Sequence, residues 1–165
     1  MLKTYLIAAI LGLLFALGFA PNDLWFISIL SLTFLYFLIG DSNKKELFLI
    51  GYSFGLGLWS VGISWLYVSI YFYGNIGFIA STFLTIVFIG IISIYSGLTL
   101  FLYSYLRSNS ESMAIFSLPI AWVTIEYSRS ILFTGFPWLI SGTMLADTPL
   151  DGWTPIIGAQ GNTFL

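Results

Sequence analysis

Glu126 and Arg129 lie in "AWVTIEYSRSILF", inside an otherwise apolar stretch of the sequence. Three residues apart on a helix, they are neighbours on one face. A charge at the centre of a membrane helix costs about 2.5–3.5 kcal/mol on insertion scales, so such residues pair and face protein or water. Two readings follow. Glu126 and Arg129 form a structural ion pair that orients their helix, or they contact a lipid headgroup or a partner domain. Neither supplies a nucleophile. The sequence contains no cysteine and no histidine. That removes thiol nucleophiles, disulfides, imidazole bases and the usual zinc ligands. No catalytic residue, metal site or cofactor is therefore expected within this chain.

A second group of residues could handle a lipid rather than react with it. "LFTGFPWLISG" at residues 132–142 sets Gly135, Phe136, Pro137 and Trp138 in apolar surroundings, and "SWLYVSIYFY" at residues 64–73 carries Trp65, Tyr67 and Tyr71. Tyrosine and tryptophan combine an apolar body with a polar tip, which suits a membrane–water interface. Phe136, Pro137, Trp138, Trp65, Tyr67 and Tyr71 are thus candidates for an interfacial anchor or for the wall of a lipid entrance.

The elements that must position these residues are set by composition. Of 165 residues, 59% are hydrophobic and 7% charged, against roughly 25% charged in a soluble domain. The mean hydropathy is +0.99. The class expected is an all-α integral membrane protein embedded in a lipid bilayer. A net charge of −2 and the lack of a basic patch exclude a nucleic-acid surface. A span needs about 20 apolar residues. Such segments occur at about residues 2–20, 24–40, 47–73, 76–106 and 112–133, giving a polytopic bundle of about five complete helices over residues 1–133. Residues 134–152 read as an interfacial or re-entrant loop, because irregular backbone at membrane depth must rest against protein or a watery cavity. Residues 153–165 read as the start of a sixth helix, cut short.

Lys3, Lys44, Lys45 and Arg107 fall at the amino terminus and in the second and fourth loops, which share one side if five helices alternate. The positive-inside rule makes that side, and the amino terminus, cytoplasmic. Residues 134–152 are then extracytoplasmic. The first segment shares Lys3, an apolar run and small residues with a signal peptide, but Pro21 and a second apolar run after a three-residue turn favour a retained helix. In the third segment Gly51 and Gly55 form a GxxxG pair, with Gly57 and Gly62 beyond, and small residues there predict close helix packing. Ser53, Ser60, Ser64 and Ser69 are read as packing residues. Pro119 predicts a kink in the fifth segment.

Four strings are together informative: "GFAPNDLW" at 18–25, "GLGLWSVGISWLYVSI" at 55–70, "FTGFPWLISG" at 133–142 and "DTPLDGWTPIIGAQGNTFL" at 147–165. Their order and separation resemble the amino-terminal membrane part of bacterial apolipoprotein N-acyltransferases. The resemblance implies an inner-membrane enzyme that moves an acyl chain from a phospholipid donor to the amino-terminal cysteine of a diacylated apolipoprotein. It also implies an eight-helix membrane domain and a periplasmic nitrilase-like domain, whose Glu-Lys-Cys triad forms a thioester in ping-pong chemistry. That domain lies beyond the matched strings, and none of its triad maps onto a position here. The chain is therefore expected to be a fragment or truncated frame of a longer protein, inactive alone. A small transporter or channel subunit and a non-catalytic membrane scaffold are the rival readings. A transport pathway would need ionisable residues near the middle of several helices, where this sequence has none.

Overall fold

The computed structural model describes residues 1–107 and 111–164, so residues 108–110 of the expected fourth loop and Leu165 lie outside the described residues. Among the described residues every regular element is helical. In chain order they are α1 (Leu2–Ala16), α2 (Trp25–Ile39), α3 (Lys44–Gly62), α4 (Trp65–Val68) continued by a π-helical turn (Ser69–Tyr73), α5 (Phe78–Leu106), α6 (Glu111–Ile131) and α7 (Thr154–Phe164). Short 3₁₀ turns at Leu132–Thr134, Ser141–Leu145 and Asp151–Trp153 connect α6 to α7.

Several expected boundaries change, and α1 ends at Ala16 rather than 20. α3 begins at Lys44 rather than 47, because Asn43 closes a capping box. Its side chain accepts from the Lys45 and Glu46 amides at 3.1 Å each, and Glu46 accepts from the Asn43 amide at 3.0 Å. The segment expected as one helix over 47–73 is instead two pieces bent by 52° about Ile63 and Ser64. Gly62 disfavours helix continuation, and the Leu139 side chain packs where a Gly62 side chain would stand. The segment expected from 153 is helical from Thr154 but is interrupted at Gly158, with φ +69°. α6, by contrast, continues past Pro119 to Ile131.

α3 is the central post. Gly12 of α1 lies against the Phe54 carbonyl, while Gly57 of α3 lies against the Ala9 carbonyl, so each backbone occupies the space a side chain would need. On another face of α3, Gly51 and Gly55 meet Ser96, Gly97 and Ser93 of α5. α2 is tied to α1 by hydroxyls: Ser28 donates to the Phe15 carbonyl at 2.7 Å and Ser31 to the Leu11 carbonyl at 2.6 Å. Phe15, Leu35, Ile39, Leu47, Ile50, Phe54, Ile63 and Leu100 fill the space between.

The outward faces are apolar too. Leu6, Ile10, Phe34, Phe37, Phe83 and Ile86 are all exposed. α5 is long and apolar enough to cross a bilayer, and the bent pair Lys44–Gly62 with Trp65–Tyr73 passes the same test only together. α1 and α2 are apolar but have 15 residues each, a rise of about 22 Å. Among the described residues one or two spans by length thus stand against the about five expected.

Because Gly12 and Gly57 sit on opposing carbonyls, Gly57→Leu should destabilise the bundle by about 1–3 kcal/mol or more. Gly77, with no atom near enough to obstruct a methyl group, should tolerate alanine. Thermal denaturation in detergent micelles compares them; equal midpoints would show that the glycine crossing carries no packing role.

Candidate functional site

The carboxy-terminal half of α6 places Trp122, Glu126 and Arg129 at i, i+4 and i+7, hence in one stripe. Glu126 and Arg129 are 6% and 4% exposed, so each needs polar partners. Among the described residues no hydrogen bond joins the two. Both instead reach the segment that follows α6.

Arg129 holds its first half. One guanidinium nitrogen, Nη1, donates to the Phe136 and Trp138 carbonyls at 2.6 Å each, and Nη2 donates to the Leu139 carbonyl at 3.5 Å. The Phe136 amide returns a bond to the Arg129 carbonyl at 2.9 Å. The guanidinium lies 4.8 Å from the centre of the Trp59 ring, within reach of a cation–π attraction. Glu126 holds the second half. Its Oε1 accepts from the Ser141 amide and hydroxyl at 2.8 Å each, and Oε2 accepts from the Thr163 hydroxyl at 2.8 Å. Ser141 also accepts from the Trp122 indole at 2.9 Å, and Thr163 accepts from the Gly142 amide at 2.8 Å. Hydrogen bonds to charged groups contribute about 1.5–3 kcal/mol each, enough to offset unfavourable backbone. The segment requires that: Phe133, Thr134 and Leu139 have φ of +52°, +73° and +50°, each costing about 1–3 kcal/mol. Gly135, at φ +80°, is the one position of the reversal where the residue type fits the conformation.

The six aromatic and proline candidates do not form one wall. Phe136 turns inward, its ring centre 6.1 Å from Trp59 and 5.4 Å from Phe88. Trp138 turns outward, 46% exposed, and its ring lies 5.2 Å from Trp65. Pro137 between them is exposed. Tyr67 stacks on Tyr71 at 5.6 Å and meets Phe78, in a separate cluster.

Two clefts result. The apolar one has a volume of about 550 Å³ and is lined by Phe88, Ile91, Ile94, Leu98, Phe133 and Phe136, with Arg129 at one end. The other, of about 630 Å³, is lined by Trp25, Trp138, Asp23, Asp147, Thr143 and Thr148. Among the described residues no cluster of three potential metal-ligating side chains occurs. Sequence reasoning missed Trp122, Ser141 and Thr163. Trp122 was recoverable from its place four residues before Glu126, whereas Ser141 and Thr163 join through contacts across 15 and 37 residues.

A bundle of apolar-faced helices with an irregular segment clasped over one end by two buried charges defines an all-α class. Comparison with known sequences gives the family. A model of the apolipoprotein N-acyltransferase N-terminal domain matches residues 11–165, and the chain belongs to that family. The apolipoprotein N-acyltransferase of Vibrio parahaemolyticus is 39% identical over 160 residues, covering 96% of this chain and 32% of the relative. That of Pasteurella multocida is 35% identical over 161 residues, covering 98% and 30%; that of Coxiella burnetii is 34% identical over 158 residues, covering 94% and 32%. The chain spans about a third of the length of the curated relatives it matches.

Proposed function

We propose that this chain is the membrane-embedded, lipid-handling part of an apolipoprotein N-acyltransferase of the bacterial inner membrane. The complete enzyme would transfer an acyl chain from phospholipid to the amino-terminal cysteine of a diacylated lipoprotein. The observation that carries this reading is the apolar cleft between α5 and residues 132–136. Its volume, about 550 Å³, falls within the roughly 300–1,000 Å³ of small-molecule sites. Its walls are branched aliphatic and phenyl side chains that suit a hydrocarbon chain, and Phe133 at its lip is 92% exposed. Trp138 lines the second, more polar cleft and is the residue most suited to meet the polar end of a lipid.

In this reading residues 1–133 form the spanning bundle, residues 134–152 fold against its outer mouth and residues 153–165 begin a further helical segment. The 15-residue helices α1 and α2 rely on flanking residues and local bilayer thinning. The Lys44 ammonium lies 3.5 Å from the centre of the Tyr105 ring, and Arg107 reaches the Gly40 carbonyl at 3.4 Å. The two basic loops therefore meet at one end of the bundle, in keeping with a cytoplasmic placement. With no cysteine in the sequence, the thiol that carries the acyl group must come from outside residues 1–165. This chain's share is to bind the donor and orient it.

Replacing the matched segment of the Vibrio parahaemolyticus enzyme by this chain gives a chimera in which the reading can be measured. The chimera should acylate a diacylated lipoprotein, and Trp138→Ala should slow that transfer about tenfold or more while membrane insertion changes little. Full activity in the variant would remove Trp138 from the lipid site. Topology has its own test, because the chain has no cysteine background. A cysteine at Asp147 should react with an impermeant maleimide from outside the cell, and one at Ser42 only after permeabilisation. The reverse pattern would invert the proposed orientation.

A further inference from the structure

We propose that Arg129 is a positioning residue for acyl transfer, fixing residues 136–139 so that Phe136 lines the apolar cleft while Trp138 faces the second cleft. The proposal rests on the reading of Trp138 given above. Consecutive side chains along this segment must face opposite ways, and the backbone between them has neither helix nor sheet to satisfy its carbonyls. Arg129 receives three of them, those of Phe136, Trp138 and Leu139. Glu126 cannot substitute: its two oxygens are engaged by Ser141 and Thr163, and a carboxylate has no proton to offer a carbonyl. Lysine cannot either, since a single ammonium lacks the planar fork that spans spaced acceptors. The underside of the guanidinium rests on the Trp59 ring of α3, so the segment is referenced to the central helix as well as to α6. Because the fork is spent on the protein's own carbonyls, Arg129 acts on the lipid through Trp138.

The chimeric enzyme, labelled with 5-fluorotryptophan, separates this role from general folding. In R129Q the fluorine resonance of Trp138 should shift or broaden, while that of Trp153, in the turn before α7, stays in place. The kcat for transfer from phosphatidylethanolamine vesicles should fall about tenfold or more with KM changed less than twofold. R129K should recover little of it. The double variant R129Q/W138A should be no slower than W138A alone, because the two residues act as one unit. An unmoved Trp138 resonance, or losses that multiply in the double variant, would overturn the proposal. So would a defect confined to KM for anionic donors, since that would make Arg129 a headgroup contact. If R129Q does not accumulate, R129K is read by the same resonance and rate, and wild-type values for both would overturn it. A fully active W138A enzyme would refute the role given to Trp138, while the resonance in R129Q would still decide whether Arg129 holds the segment.

Discussion

Backbone that leaves a helix in apolar surroundings carries its amides and carbonyls with it, and each one left bare costs free energy. Residues 132–145 face this constraint acutely: three of their non-glycine residues are left-handed, and the sequence around them is largely apolar. The solution is to bury one cation and one anion on a single stripe of α6 and divide the segment between them. Arg129 takes carbonyls, Glu126 takes an amide and two hydroxyls, and each charge is satisfied by dipoles of the chain. Removing one member of so buried a charge system costs about 3–5 kcal/mol elsewhere in proteins, so the arrangement is both a support and a vulnerability.

That clasp works only if α6 and α3 are themselves fixed. The glycines of α3 do this without polar surface. Two faces of one helix accept α1 and α5 at backbone contact, which places Trp59 under the Arg129 guanidinium and Phe88 beside Phe136. Close packing at the centre is thereby transmitted to the geometry of the clefts at one end. The outward faces keep large apolar side chains.

Much of this was legible in the residues, and the exceptions share a cause. The helices at α2, α5 and α6 follow from runs of apolar residues, and the packing role of Gly51, Gly55 and Gly57 follows from their spacing. The Asn43–Glu46 box was also available in "NKKE" and would have placed the start of α3. The partners of Glu126 and Arg129 were not legible. Local spacing sets the two on one face, while the guanidinium's hydrogen bonds go to the Phe136, Trp138 and Leu139 carbonyls several residues downstream. The split between Phe136 and Trp138 is likewise a consequence of where Arg129 pulls the backbone, which no pattern of residue types encodes. The bend after Gly62 depends on Leu139 arriving from far along the chain.

The most direct test is hydrogen exchange of individual amides in lipid nanodiscs. The amides of Phe136, Ser141 and Gly142 lie in irregular backbone yet are bound to Arg129, Glu126 and Thr163. They should exchange on the slow timescale of the α6 interior, and Glu126→Gln should release those of Ser141 and Gly142 together. Exchange of all three as fast as that of the exposed Asp147 would contradict a segment held by the buried charges of α6.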